Sequence, residues 1–192
     1  MATYESRKYK FTGAEITSLS APNMADGSVS DTEFQHLLTT ITHYAVKKLT
    51  PIMELPHRHP IALIDEHRII NDEEVEATFM VHNAHPVLEG HFPHVKIWPG
   101  VYIVEGMNQC AGIHALHLAE KEVGKVKHED YVTFVTSVDK CKFRFPVFPG
   151  TRLRYEAKLV KRKMNHIFYD CKVFDGESRV ASATIGLTAK KL

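Results

Sequence analysis

The alternation of apolar and polar residues divides the chain into a helical amino-terminal part and a larger part rich in strands. Ser30, followed three positions later by Glu33, predicts a helix start. Apolar residues then recur at three- and four-residue spacing until Pro51, so we expect an amphipathic helix over about residues 31–49. This helix belongs to an amino-terminal extension, residues 1–53, and its apolar face is typical of a helix that packs on the main domain or on a neighbouring subunit.

The remaining residues, 54–192, are predicted to form one domain of strands around a single long helix. Strands are predicted near 61–70 and at 75–82, 131–138, 141–145, 151–163, 166–174 and 178–187. The pair Asp175 and Gly176 is a dipeptide favoured in hairpin turns. From Gly100 to about Val123 the chain is apolar on nearly all sides, which is typical of a buried helix. A buried helix among antiparallel strands is an α+β architecture.

Composition and charge narrow the possible classes of protein. A length of 192 residues with 44% hydrophobic residues fits one domain with an appendage. The net charge of +1 gives no overall signature of a nucleic-acid binder, and no pattern of stacking aromatic residues suggests one. The first thirty residues hold no uninterrupted apolar segment, and no later run reaches the roughly eighteen residues of a membrane span. We therefore expect a protein without a signal peptide or a membrane span.

The spacing of cysteines and histidines argues against metal centres. Cys110, Cys141 and Cys171 are about thirty residues apart, which fits neither a CxxC knuckle nor a dense disulfide framework. This spacing favours a reducing, cytosolic compartment. Five histidines lie close together in sequence: His57, His59, His85, His91 and His94. They form no HExxH motif and no histidine pair beside cysteines, so we expect no metal and no other cofactor.

Glu105 and His91 are the strongest candidates for chemistry. Glu105 interrupts an apolar run, and burying an unpaired carboxylate costs roughly 1–3 kcal/mol or more. Gln109 follows one helical turn later, where its amide can orient the carboxyl group. His91 stands after Gly90 and before Phe92 and Pro93, a setting that restricts the backbone and aims the imidazole. A carboxyl and an imidazole with complementary titration roles make an acid/base couple.

The start of the long helix offers a second chemical feature. Pro99 and Gly100 open the helix, so the first backbone N–H groups, those of Gly100 and Val101, lack intrahelical acceptors and can point at an incoming carbonyl oxygen. Because Gly100 has no side chain, a ligand can approach the backbone closely there. We expect this position to bind a developing oxyanion.

Four segments, in order along the chain, resemble the motifs of one known family. They are residues 55–60 and 63–65 (LPHRHP and LID), 90–93 (GHFP), 99–109 (PGVYIVEGMNQ) and 139–150 (DKCKFRFPVFPG). These motifs and their spacing resemble the 3-hydroxyacyl-[acyl carrier protein] dehydratases of FabZ type, in the FabA/FabZ hotdog family. The resemblance spans about residues 54–190.

The resemblance implies a fold, an assembly and a role for each site residue. It implies a hotdog fold, in which the sheet wraps the central helix, and a homodimer, often assembled as a trimer of dimers, with active sites at the subunit interface. His91 from one subunit would take the C2 proton of a 3-hydroxyacyl thioester, and Glu105 from the other would protonate the departing C3 hydroxyl. The amides at Gly100 and Val101 would polarise the thioester carbonyl, and the products would be a trans-2-enoyl thioester and water.

Several positions depart from the family pattern. His94, Lys96 and Asn108 replace a glycine, a proline and a small apolar residue, and Trp98 and Tyr102 are bulky near the expected site entrance. The family branch that also isomerises the double bond carries aspartate at the position of the glutamate, so we expect dehydration alone. Two alternatives stay open at this level. One is a hotdog thioesterase that uses the helix carboxylate to activate water, and the other is a non-catalytic acyl-binding subunit.

A basic segment suggests how substrate would be delivered. Residues 139–163 hold nine Lys or Arg against two acidic residues. Acyl carrier proteins are acidic and carry their cargo on a phosphopantetheine arm, so a basic rim would steer them to the site. The candidate contact residues are Arg144, Arg152, Arg154, Lys161 and Arg162. The simpler alternative is that these strand residues alternate outward into solvent.

Overall fold

The computed structural model describes residues 55–124 and 131–191, so the extension and its helix predicted at 31–49 lie outside the described residues. In chain order the elements are β1 (Glu66–Ile69), β2 (Glu74–Met80), α1 (Val87–Gly90), α2 (Gly100–Val123), β3 (Tyr131–Phe143), β4 (Arg152–Lys163), β5 (His166–Asp175) and β6 (Ser178–Lys191). Neither helix in this part of the chain combines the length and apolarity needed to cross a bilayer.

The strands form one antiparallel sheet in the order β1-β2-β4-β5-β6-β3. Strands β4, β5 and β6 follow one another through tight hairpins. The second hairpin is closed by the pair Asp175 and Ser178, and Gly176 in its turn has a positive φ of 56°, which favours glycine. Among residues 55–124 and 131–191, β3 pairs only with β6, so β3 and β1 are the two edges of the sheet that these residues form.

Helix α2 packs along one face of this sheet and contacts β2, β3, β4, β5 and β6. Burial alternates along β2, where Val75, Ala77 and Phe79 face the helix side and their neighbours are only half-buried. Every residue of α2 from Gly106 to Leu116 is buried, which confirms the predicted buried helix. A curved antiparallel sheet around one central helix is the hotdog arrangement, and the predicted α+β class is confirmed.

Two strand predictions were wrong in detail. The strand predicted from residue 61 begins only at Glu66, because residues 61 and 62 turn back onto the Arg58 carbonyl and the Leu63 N–H is bonded to a side chain of α2 instead of a neighbouring strand. The strands predicted at 131–138 and 141–145 are one strand, β3. Its pairing with β6 is irregular between Val135 and Ser137 and again between Asp139 and Lys142.

Candidate active site

His91 directly follows α1, and hydrogen bonds from its backbone and from its ring fix its position. Its N–H donates to the Val87 carbonyl at 3.2 Å, and its own carbonyl accepts from the Ile97 N–H at 3.0 Å. The ring atom Nδ1 lies 2.8 Å from the Ile97 carbonyl oxygen, and the ring stacks on Phe92 with centroids 4.0 Å apart. Because a carbonyl oxygen only accepts, the neutral ring carries its proton on Nδ1 and has its lone pair on Nε2. This is the tautomer that a general base requires.

His91 and the start of α2 line the same cavity, whose volume is about 490 Å³. Its lining also includes Gly100, Val101 and Arg144, with mostly apolar walls from residues 97–98, 103, 143 and 145–147. The N–H groups of Gly100 and Val101 stand in the first turn, where no earlier helical carbonyl can accept them. A cavity of this size suits a small-molecule chain, and it joins a base to amide donors. The structure therefore brings His91, Gly100 and Val101 together at one cavity, and their catalytic roles stay a prediction.

Gly100 lies close to the aromatic ring of Phe143, which also lines the cavity. A Cβ atom at this position would stand 3.0 Å from two ring carbons of Phe143. Real Cβ contacts are rarely so short, so any larger residue would displace the ring or narrow the cavity. The absence of a side chain at Gly100 thus keeps the amide end of the cavity open.

Glu105 lies one turn further along α2 and is held by three neighbours. Its Oε1 accepts a hydrogen bond of 2.8 Å from Gln109 Nε2 and lies 3.4 Å from His57 Nε2. Its Oε2 accepts a hydrogen bond of 3.2 Å from Asn108 Nδ2. The side chain keeps 25% of its surface exposed, so the carboxyl group is oriented but still accessible. The predicted orienting role of Gln109 has the required geometry.

Gln109 also ties the helix to the segment before β1. Its side-chain Oε1 accepts from the Leu63 N–H at 2.8 Å, and its Nε2 donates to the Ile61 carbonyl at 2.7 Å. The side chain is buried, and these bonds satisfy backbone groups that no strand partner reaches. The same side chain therefore fixes both a loop and the carboxyl group of Glu105.

Sequence reasoning missed His57 and Asn108 as neighbours of Glu105. From the sequence, His57 is a possible metal ligand and part of the motif at residues 55–60, and Asn108 is a departure from the family pattern. Burial lowers the pKa of His57 and outweighs the Glu105 carboxylate, which raises it. The charge of Arg58 lowers the pKa of His57 further. The spacing of three residues between Glu105 and Asn108 was the available signal, because such residues are neighbours on a helix surface.

Across residues 55–124 and 131–191, no three His, Cys, Asp or Glu side chains group as metal ligands.

His91 and Glu105 are not brought into contact within one chain. The hydrogen-bond partner of the His91 ring is Ile97, and the carboxyl group of Glu105 bonds to Asn108 and Gln109. The lining of the cavity that holds His91 does not include Glu105. One chain alone therefore offers a cavity with a base and amide donors, and a separate, oriented carboxyl group.

The five basic candidates fall into two groups. Arg144 lines the cavity and donates to Ser182 Oγ at 3.1 Å. Arg152 and Arg154 open β4, near the same end of the sheet, while Lys161 and Arg162 lie roughly 23–33 Å further along the strand, at about 3.3 Å per residue. Acidic partners face three of the five: Glu66 faces Arg152, Glu156 faces Arg154, and Glu122 faces Arg162. Of these five described residues, Arg144 alone lines the cavity.

The sequence matches a known family over most of its length. Residues 55–184 match the model of the FabA-like domain. The chain belongs to the FabA-like family. This FabA-like region contains His91, Gly100, Glu105 and Gln109, and it begins at the first residue that the structure describes.

Individual relatives agree with this assignment. The chain is 40% identical over 134 residues to the 3-hydroxyacyl-[acyl-carrier-protein] dehydratase FabZ of Campylobacter fetus subsp. fetus, across 68% of this chain and 88% of that protein. It is 34% identical over 158 residues to the FabZ of Alkalilimnicola ehrlichii, across 80% of this chain and 97% of that protein. Among solved structures, the dehydratase heterocomplex ApeI:P from Xenorhabdus doucetiae has a TM-score of 0.62 at 15% identity, covering 72% of this chain and 90% of that one. That last likeness concerns the fold alone.

Proposed function

We propose that this FabA-like protein is a FabZ-type dehydratase that converts 3-hydroxyacyl-[acyl carrier protein] to the trans-2-enoyl thioester and water, in fatty acid synthesis or a related lipid or polyketide pathway. The observation that carries the proposal is that His91 lines the same cavity as Gly100 and Val101, the first two residues of α2, while its Nδ1 is bonded to the Ile97 carbonyl. The names of FabZ relatives that are 40% and 34% identical support the same reaction.

The proposed reaction assigns one step to each group. The thioester oxygen accepts hydrogen bonds from the N–H groups of Gly100 and Val101, which stabilises the negative charge that develops when C2 loses its proton. His91 Nε2 takes that proton, and Glu105 gives its own proton to the C3 hydroxyl, which leaves as water. The C2–H and C3–O bonds break and the C2–C3 double bond forms, so no redox cofactor is required.

We further propose a homodimer in which Glu105 of each chain completes the site of the other. In the described part of the chain, β3 is an edge of the sheet with exposed apolar side chains, among them Phe134 at 46% and Val138 at 42% exposure. An exposed apolar edge is a template for pairing with another strand. Phe143 and Phe145, both half-exposed, extend this surface to the wall of the cavity. Pairing through β3 would therefore bury the apolar edge next to the base. Assembly of such dimers into a trimer stays a prediction from the resemblance.

Arg144 is the proposed contact for the phosphopantetheine arm of an acyl carrier protein. Its guanidinium is exposed at the cavity, where a phosphate on the arm could accept its hydrogen bonds. Arg152 and Arg154 lie near the same end of the sheet and would add long-range attraction to an acidic carrier, whereas Lys161 and Arg162 are too distant for direct contact with the same arm. The cytosolic location expected from the cysteines stays a prediction.

Mass spectrometry of the acyl chain tests this function. The protein is incubated separately with 3-hydroxyacyl- and enoyl-carrier-protein thioesters, and we expect loss of one water from the first and gain of one by the second. Release of free acid with the carrier thiol would instead support a thioesterase, and no turnover of either substrate would support a binding subunit. We expect His91→Ala and Glu105→Gln each to lower turnover by at least about 10²-fold. His94→Ala and Glu89→Gln, at exposed positions outside the cavity lining, serve as matched controls.

A further inference from the structure

The two oxygens of the Glu105 carboxyl group are not equivalent. Oε1 faces Gln109 Nε2 at 2.8 Å, and that amide cannot turn over, because its own oxygen accepts the Leu63 N–H while its nitrogen donates to the Ile61 carbonyl. Exchanging the two ends of the Gln109 amide would place donor against donor and acceptor against acceptor. Oε1 therefore always faces the Gln109 N–H donor, and this favours Oε2 as the oxygen that carries a proton.

Oε2 has a neighbour of a different kind. Asn108 Nδ2 donates to Oε2 at 3.2 Å, and the Asn108 side chain is 5% exposed. Its Oδ1 is buried and has no hydrogen-bond partner among the described residues. Nothing in this part of the chain therefore fixes which end of the Asn108 amide faces Glu105. In one orientation the amide donates to a carboxylate, and in the other it accepts from a carboxylic acid.

We propose that Asn108 is a positioning residue for Glu105 that serves both protonation states of Oε2. In one orientation of the amide, Nδ2 donates a hydrogen bond to the carboxylate that remains after the proton has left. In the other orientation, Oδ1 accepts a hydrogen bond from the O–H of the carboxylic acid before the proton passes to the substrate hydroxyl. The proposal rests on the proposed dehydration, in which Glu105 alternates between these two states in every turnover. It gives a use to the polar side chain that replaces a small apolar residue at this position.

The other titratable and charged groups around Glu105 are few in the described part of the chain. His57, from the segment before β1, faces Oε1 and not Oε2. Arg58 Nη1 donates hydrogen bonds to the carbonyl oxygens of Leu55 and His57. The charge of Arg58 lowers the pKa of His57, in addition to the larger effect of burial. On β4, burial raises the pKa of the Tyr155 phenol, and interactions with Cys110, Asp65 and Glu105 raise it further. Asn108 is thus the hydrogen-bond partner that the described residues provide for Oε2.

Two substitutions of the amide test the proposal through the pH profile of turnover. Asn108→Ala removes both the donor and the acceptor, so both states of the acid lose a partner. We expect kcat to fall about 5- to 10-fold, with KM within about 2-fold and the alkaline limb of the kcat profile within about 0.3 pH units of wild type. Asn108→Asp has nearly the same shape but sets a second carboxylate beside Oε2. That charge opposes loss of the proton, so the alkaline limb should move up by about one pH unit.

The outcomes separate the possible failures. Wild-type kcat and pH profile in Asn108→Ala would overturn the proposal. An upward shift of the alkaline limb in Asn108→Ala as large as that in Asn108→Asp would also overturn it, because the amide would then serve only the carboxylate. Absence of dehydration by the wild-type protein would instead reject the proposed function. Thermal unfolding is measured for both variants, and Asn165→Ala, at an exposed hairpin turn, is the control for removal of an amide.

Discussion

Gln109 connects the Glu105 carboxyl group to the backbone of the segment before β1. One amide nitrogen lies 2.8 Å from Glu105 Oε1 and 2.7 Å from the Ile61 carbonyl oxygen, while the amide oxygen accepts the Leu63 N–H. Orientation of the candidate acid and attachment of this loop to α2 therefore depend on one buried side chain. A change in it should affect both catalysis and stability.

We expect Gln109→Ala to reduce kcat by about 10-fold or more and to lower the free energy of unfolding by about 2–4 kcal/mol. The loss of stability follows because two buried backbone groups, at Ile61 and Leu63, lose their partners. Glu105→Gln is the informative comparison, since it leaves this bridge in place and should lose activity with little loss of stability. Chemical denaturation and steady-state kinetics measure the two effects. A Gln109→Ala protein as stable as wild type would show that the bridge contributes nothing.

Mixed dimers test whether His91 and Glu105 act across a subunit interface. His91→Ala and Glu105→Gln proteins are each nearly inactive, but a dimer with one chain of each kind has one site with both native residues if the two groups come from different chains. Random assembly from equal amounts should therefore restore about one quarter of wild-type turnover. If both groups acted within one chain, no site would be restored, and the mixture would stay as inactive as its components.

The exposed apolar edge of β3 predicts which surface forms the dimer. Val138 is 42% exposed on β3, and a lysine there should oppose pairing of two edges. We expect Val138→Lys to be monomeric by light scattering and to have lost most of its activity. Val160 is 47% exposed on β4, which lies inside the sheet, so Val160→Lys should remain dimeric and active. A dimeric, active Val138→Lys protein would exclude this edge as the interface.

Close packing between α2 and β4 predicts a sharp difference between two helical glycines. A Cβ atom at Gly106 would overlap the hydroxyl oxygen of Tyr155, a side chain that is 1% exposed and packed in the core. Gly106→Ala should therefore destabilise the protein by about 3 kcal/mol. At Gly112 the nearest atom, Thr133 Oγ1, would be 3.3 Å away, and helix propensity favours alanine by up to about 1 kcal/mol. Denaturant titration should thus show a loss for the first substitution and little change or a gain for the second. Equal effects would contradict this account of the packing.

The sequence predicted best those features that repeat along one element. The buried helix from Gly100 to Val123 was predictable because its apolar residues cover all its faces, and the partnership of Glu105 with Gln109 was predictable from helical spacing alone. The contact of His57 with Glu105 was not predictable in this way, because it joins positions 48 residues apart through the tertiary fold.

The start of β1 was misjudged for a related reason. Residues 61–65 have the apolar composition of a strand, but Gln109 takes the Leu63 N–H and the Ile61 carbonyl that a strand neighbour would need. The irregular pairing in β3 likewise has no local signature in apolar periodicity, since it depends on the register with β6. Contacts between distant parts of the chain thus explain why β1 starts later than predicted and why the pairing of β3 is irregular.

The buried His114 side chain predicts a dependence of stability on pH. Its Nε2 lies 3.1 Å from the Asn71 carbonyl oxygen and its Nδ1 lies 3.1 Å from the Tyr169 hydroxyl, so the neutral ring donates to the first and accepts from the second. Burial lowers the pKa of His114 below its ordinary value of 6.5, against the opposing effect of the bond to Asn71. The unfolded chain therefore binds a proton in a pH range where the folded protein does not. The stabilising contribution is complete above about pH 6.5 and is lost as the pH falls below it.

We expect the free energy of unfolding to decrease between about pH 6.5 and pH 5, with a smaller slope in His114→Gln. The slope should not vanish, because the pKa of His57 is also lowered by burial and contributes in the same direction. His166→Gln, at an exposed position at the start of β5, should keep the full slope. Denaturant titrations at several pH values provide the measurement. A His114→Gln protein with the wild-type slope would show that this ring does not cause the dependence.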